Sequence, residues 1–251
     1  AAHYFILQTA ADTEPLTSNG MNLNPSNDVL TVGGGINIGA AAGGHITASG
    51  NISASGNISS SGLFVNGNIS ASYVASQNYR TIYIDAGGMV PTVTNGAAAG
   101  TEELATNDVM VDYLAFDKST DEFAQFKIVM PEQYDNGTIK AKFYWKPSDG
   151  SDTNSVIWGI QANALTHDEA IDDAFGTAVT VTQACTGTDN DLHITNATGD
   201  VTIAGSPGEG KLVIFQVYRD ANAGGDNYDN DAHLLGVNIQ YREVGTPSQS
   251  W

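Results

Sequence analysis

The loop 224–231 carries Asp226, Asp229 and Asp231 interleaved with two asparagines. A hard cation such as Ca²⁺ takes several oxygen ligands from one flexible loop, so these three aspartates form a candidate metal site. Their spacing matches neither the EF-hand pattern nor the glycine-rich calcium nonapeptide. The competing reading is a solvated polar turn between the last two strands. The runs 189–191 and 149–152 are weaker versions of the same pattern. No cofactor other than Ca²⁺ is suggested.

A second candidate chemistry is stacking on sugar rings. In the stretch 138–146, Ile139, Ala141, Phe143 and Trp145 alternate with Lys140, Lys142, Tyr144 and Lys146. Strand alternation puts the first set on one face and the second on the other. Tyr144 then offers a ring for a glycan, with Lys140 and Lys142 beside it for acidic groups. Tyr228, in the acidic loop, is a further candidate ring. The competing reading is ordinary surface or a subunit contact.

Nucleophilic and phosphate chemistry find no support. There is no Gly-x-Ser-x-Gly, no His-Glu-x-x-His and no phosphate-binding loop with a lysine. The five histidines, His3, His45, His167, His193 and His233, show no metal-ligand spacing. Cys185 is the one cysteine, so an intrachain disulfide scaffold is excluded. No catalytic residue is nominated, and the chain is not read as an enzyme.

The elements that position these residues fall in two regions. Of 28 acidic residues, only Asp12, Glu14 and Asp28 precede Arg80, and none of the 9 basic residues does. The formal net charge of −19 argues against nucleic acid and against anionic membrane surfaces. No apolar run has membrane-spanning length, and no signal peptide is expected. We therefore divide the chain into residues 1–78 and 79–251.

Within the first region a hexad repeats: His45 to Gly50, Asn51 to Gly56, Asn57 to Gly62. Ile46, Ile52 and Ile58 recur every six residues, Phe64 takes the next position, and Ile69 arrives one residue early. Six is a multiple of the strand period, so each repeat presents its large apolar side chain on one face. One apolar anchor per hexad cannot build a core within a single chain. Several identical chains, three by first choice, would bury these residues on a common axis. The competing reading is a Gly/Ser linker. Upstream, residues 21–32 read as two short strands around a Pro25–Asp28 turn.

The second region reads as a conventional domain. Strands are expected at 81–84, 109–116, 123–130, 138–145, 156–165, 178–182, 201–203, 212–219 and 234–241. Residues 166–176 are expected to form a short helix, because Thr166-His-Asp-Glu169 is a capping box and Gly176 a natural stop. The fold class is all-β: an N-terminal intertwined shaft, then an antiparallel β-sandwich, jelly-roll-like, with one short helix.

The phrase Leu23-Asn24-Pro25-Ser26-Asn27-Asp28-Val29-Leu30-Thr31-Val32, leading into Gly/Ser/Ile repeats, resembles shaft segments of bacteriophage tail fibres and related virion appendages. The likeness covers roughly residues 3–72. It implies a homotrimer of intertwined β-structure, other virion proteins as partners, location on the virion, and no enzymatic activity in the shaft. Tyr113-Leu-Ala-Phe116, Phe123-Ala-Gln-Phe126 and Val217-Tyr-Arg219 resemble virion-associated domains that carry no active site to transfer. The expected function is a structural fibre or spike subunit attaching to a host-cell surface polysaccharide. The alternatives are a capsid decoration or head fibre without a receptor role, and a subunit of a bacterial extracellular filament.

Overall fold

The computed structural model describes residues 21–24, 29–32 and 78–244. The hexads, with Ile46, Ile52, Ile58, Phe64 and Ile69, lie outside the described residues, as do His3 and His45. Two compact units divide the chain, Ala1–Asn68 and Ile69–Trp251.

In the first unit, β1 (Met21–Asn24) and β2 (Val29–Val32) pair antiparallel, with Met21 opposite Val32 and Asn24 opposite Val29. The two strands pair as expected, and the Pro25–Asp28 turn between them lies outside the described residues.

Among the described residues of the second unit, the regular structure is all strand apart from one 3₁₀ turn at Ala86–Gly88. Its strands are β3 (Asn78–Asp85), β4 (Val90–Pro91), β5 (Ala98–Leu104), β6 (Val109–Phe116), β7 (Glu122–Val129) and β8 (Lys140–Pro147). They continue with β9 (Ser155–Leu165), β10 (Val179–Ala184), β11 (His193–Ile194), β12 (Ala204–Gly205), β13 (Leu212–Arg219) and β14 (Ala232–Glu243). One sheet runs β10-β9-β13-β7-β4, with β12 added to β9. The other runs β11-β8-β14-β6-β5, with β3 also paired to β14. All strand pairs are antiparallel except β12 with β9.

Period-two patterning explains the core. Ala141, Phe143 and Trp145 of one sheet and Val156, Trp158, Ile160 and Ala162 of the other are all buried. Trp158 sits at the junction: its ring stacks on Phe143 at 5.5 Å and meets Phe116 edge-on at 5.2 Å. Aromatic pairs at such spacings stabilise beyond their area burial by about 0.5–1.5 kcal/mol each. Strand β13, apolar on both faces from Leu212 to Ile214, lies between β9 and β7, as its composition requires.

The expected helix at 166–176 is not formed. Glu169 does reach back to the Thr166 N–H at 2.6 Å, so that part of the capping box exists. It closes a turn instead, because Asp168 adopts φ 69°, outside the helical region. The Gly176 N–H then donates to Ala162 O, tying the segment to β9, and Ile171 is left exposed. Among the described residues, no helix is long and apolar enough to cross a membrane. Residues 201–203 are not a strand either. Val201 makes an isolated bridge to Ile139, and pairing with β9 begins only at Ala204. Strand β5 was not expected: Ala-Ala-Gly-Thr-Glu-Glu-Leu lacks the large alternating side chains that mark a buried strand, which suits its place at a sheet edge.

At the end of β13, Arg219 is wholly buried and all five of its N–H donors are used. Nε and Nη2 meet the two Asp226 carboxylate oxygens at 3.0 and 2.7 Å, and Nη2 also donates to Tyr228 O. Nη1 donates to Phe116 O and Asn230 O. This network pins the 224–231 loop to β13 and β6. Asp226→Ala leaves the guanidinium buried without its counter-ion and is expected to cost about 3–5 kcal/mol of unfolding free energy. Urea denaturation with the exposed-pair variant Asp229→Ala as reference checks this; equal midpoints for the two variants would refute it.

Candidate functional site

The outer face of β3, β14 and β8 collects the side chains whose chemistry suits a polar polymer. Register makes the arrangement explicit. Tyr83 lies opposite Asn238, which lies opposite Lys142; Thr81 lies opposite Gln240, which lies opposite Lys140. Directly paired residues share a face, and their neighbours Ala141, Phe143, Val237 and Ile239 point into the core. Tyr144 stands opposite Gly236, two residues along from Lys142.

Gly236 shapes this surface. The pairing of β14 with β8 shifts register between Leu234 and Gly236. A Cβ at Gly236 would run into the Tyr83 hydroxyl and ring, so Tyr83 lies across the backbone there. Its hydroxyl donates to Leu235 O at 3.1 Å, and its ring meets Tyr144 edge-on at 5.5 Å. Burial, with Asp85 and Tyr144 nearby, pushes the Tyr83 hydroxyl upward from its ordinary pKa, so it stays a donor. Tyr83 nonetheless remains half exposed, and Tyr79 on the same strand is more exposed still.

A cleft of ≈ 160 Å³ opens between Thr81, Lys140, Lys142, Tyr144, Asn238 and Gln240. A second, of ≈ 390 Å³, shares Lys140 and Gln240 and continues past Tyr79, Asp200 and Arg242. The first is smaller than the roughly 300–1,000 Å³ of an enclosed small-molecule site. The two clefts together follow β14 from Asn238 to Arg242, an extent that suits a chain laid along the sheet.

Sequence reasoning placed Tyr144, Lys140 and Lys142 together, and they do share this face. Lys146, from the same stripe, is different. It is buried, donating to Glu102 Oε1 at 3.0 Å and Asn190 Oδ1 at 3.1 Å. It is not available to a ligand. Tyr228 is a correction: it is 1 % exposed, with its hydroxyl donating to Asp149 O and its ring against Trp145. The Arg219 network folds the loop back and takes that ring inside.

The aspartates of the same loop are likewise engaged. Asp226 is fully enclosed, holding Arg219 and accepting the Ile157 N–H at 2.8 Å. Asp229 pairs with Lys118 at 2.7 Å, and Asp231 lies exposed. Among the described residues no group of three His, Cys, Asp or Glu is placed to hold a metal ion. In the weaker runs, Asp149 and Asp152 cap backbone N–H groups within their own turn, and Asp189 accepts from Gly150. Sequence reasoning missed Thr81, Tyr83, Asn238 and Gln240. The signal was alternation in β3 and β14, but only register shows that these two strands flank each other.

No family model and no curated protein matches the chain. Solved structures do match in part. The CBM36-1 domain of a multidomain xylanase from the hindgut metagenome of Trinervitermes trinervoides is 10% identical; the match covers 64% of this chain and 96% of that one, at TM-score 0.33. A non-crystalline cellulose specific carbohydrate-binding module, CBM28, is 11% identical over 62% and 87%, at 0.35. A family 11 carbohydrate-binding module from Clostridium thermocellum, in complex with a beta-1,3-1,4-mixed-linked tetrasaccharide, is 9% identical over 64% and 88%, at 0.31. At these scores the similarities carry no argument about what this chain does. Among the described residues, the second unit is an all-β sandwich of two sheets, antiparallel but for β12 with β9.

Beside the face, His233 stacks on Tyr113 at 4.0 Å and lies opposite Lys146. Burial, then the Lys146 charge, lowers its pKa from 6.5 to about 4, against a smaller opposing pull from Glu102. A depressed folded-state pKa for a base means stability is complete above the unfolded value of 6.5. That stability is lost as pH falls towards 4. Glu122 and Asp220, whose carboxyls burial pushes up, act in the opposite sense, so the readout is a difference. His233→Gln is expected to flatten the decline in unfolding free energy between pH 6.5 and 4. Chemical denaturation at several pH values checks it, and parallel curves for wild type and variant would refute the assignment.

Proposed function

We propose that the second unit is a non-catalytic glycan-binding domain that grips a host-cell surface polysaccharide across β3, β14 and β8. The observation that supports this is the contiguous grid of Tyr83, Tyr144, Asn238, Gln240, Thr81 and two lysines on one exposed sheet face. Tyrosine rings present apolar area to the C–H face of a sugar, and amides and hydroxyls match its hydroxyl groups. The groove runs with the strands, as a linear polymer requires. Full-length protein on a glycan array supplies the ligand. Tyr83→Ala and Tyr144→Ala are each then expected to weaken binding about tenfold, equivalent to about 1.4 kcal/mol. Full affinity in both variants, with unchanged circular dichroism, would sink the reading.

We further propose that this domain is carried on a homotrimeric virion fibre, as the hexads and the tail-fibre resemblance suggest. Light scattering of the full chain is expected to give three times the 26.2 kDa chain mass. Ile52→Asn with Ile58→Asn is expected to shift that species towards monomer, because polar residues on a shared apolar axis are left without partners. A wild-type monomer would return the hexads to a linker, and open-ended polymers would favour the filament alternative.

A further inference from the structure

Nine cationic side chains serve a chain with 28 acidic ones, and all nine fall among the described residues. Six form ion pairs: Arg80, Lys118, Lys140, Lys146, Arg219 and Arg242. Lys211 donates to Ser206 O. Only Lys127 and Lys142 have neither an ion pair nor a hydrogen bond among the described residues.

Two unpaired ammonium groups in so acidic a protein would be unremarkable on open surface, and Lys127 fits that description. It is exposed on β7, next to exposed Val129 two residues along the strand. Lys142 is placed differently. It lines the cleft with Tyr144, Asn238 and Gln240, opposite Asn238 in register and flanked on its own strand by Tyr144. Its strand neighbour Lys140 is offset by Asp200 at 3.5 Å, whereas no carboxylate answers Lys142. The cleft therefore holds one uncompensated positive charge, set between an aromatic ring and amide donors.

From this placement we propose that the face selects a carboxylated sugar, a uronate-type unit, with Lys142 pairing its carboxylate while Tyr144 supports its ring. The inference rests on the glycan-binding reading of the same face and names its ligand class. One free ammonium matches one carboxylate. Neighbouring amides such as Asn238 and Gln240 can donate to the second carboxylate oxygen or to an adjacent hydroxyl. The surrounding acidity sharpens the choice, since an anionic chain is repelled everywhere except where an unpaired cation receives it.

The probes are a short oligogalacturonate and its methyl ester, which keeps every ring and removes the charge. Calorimetric titration is run on full-length wild type, Lys142→Gln, Lys127→Gln and Tyr144→Ala. Wild type is expected to bind the acid about fivefold more tightly than the ester, the scale of one exposed ion pair. Lys142→Gln is expected to erase that difference by bringing the affinity for the acid down to that for the ester, which isolates the charge pair as a cycle. Lys127→Gln changes the net charge equally and is expected to preserve the difference. A preference that survives Lys142→Gln, or that falls equally with Lys127→Gln, overturns the proposal. If neither probe binds but a neutral glycan does so in a Tyr144-dependent way, the acidic preference falls and the site stands. Binding unaffected by Tyr144→Ala removes the site itself.

Discussion

Strand β14 is the constraint on which the rest of the second unit depends. It pairs with β8 along most of its length, with β6 over Ala232–Leu234, and with β3 from Gly236 to Glu243. β6 and β3 share one edge of it end to end, β6 up to Leu234 and β3 from Gly236, while on the other edge the pairing with β8 shifts register between Leu234 and Gly236. The missing Cβ lets the Tyr83 ring lie across the backbone where the shift occurs. The pairing of β14 with both β3 and β8 brings Thr81 and Tyr83 to the surface that β8 fills with Lys142 and Tyr144. The candidate site is thus a product of which strands β14 pairs with.

The opposite end of the sandwich is held by charge. Arg219 and Asp226 are both removed from water, which is costly for each ion alone. The cost is offset because every guanidinium N–H has a partner and the carboxylate also takes the Ile157 N–H. The network joins β13, β6 and β9 to the 224–231 loop. It explains why a loop rich in aspartate is not an ion trap here: the ion it holds is Arg219. The same fold-back buries Tyr228 against Trp145 and sets its hydroxyl on residue 149.

Electrostatics divides the surface. Acidic residues dominate, and seven of the nine cations are engaged with acceptors of the protein itself. Pairing of exposed charges contributes little to stability, so its main effect is to leave few free cations. A lone ammonium then carries more information about recognition than it would in a lysine-rich protein. The contrast between Lys146, buried on Glu102, and Lys142, unanswered, arises on a single strand four residues apart.

Period-two alternation made the interior legible. Phe143, Trp145, Trp158 and Ile160 are assigned to the core by spacing alone, and β6, β7, β9 and β13 follow within a residue or two of their expected bounds. The pairing of β1 and β2 is legible for a similar local reason, two short strand-prone runs either side of a proline in the sequence. Local signals failed where tertiary contacts compete. A capping box closed a turn because Asp168 took a left-handed conformation and Gly176 bonded to β9. The 224–231 loop read as polar surface because nothing local marks Arg219 as a buried ion. Which strands become neighbours is a non-local fact, so Tyr144, Lys140 and Lys142 were visible as one stripe, while Thr81, Tyr83, Asn238 and Gln240 were not. Sequence determined which side chains face out; only the register of β14 against β3 and β8, set by backbone pairing between segments far apart in the chain, decided which of them meet.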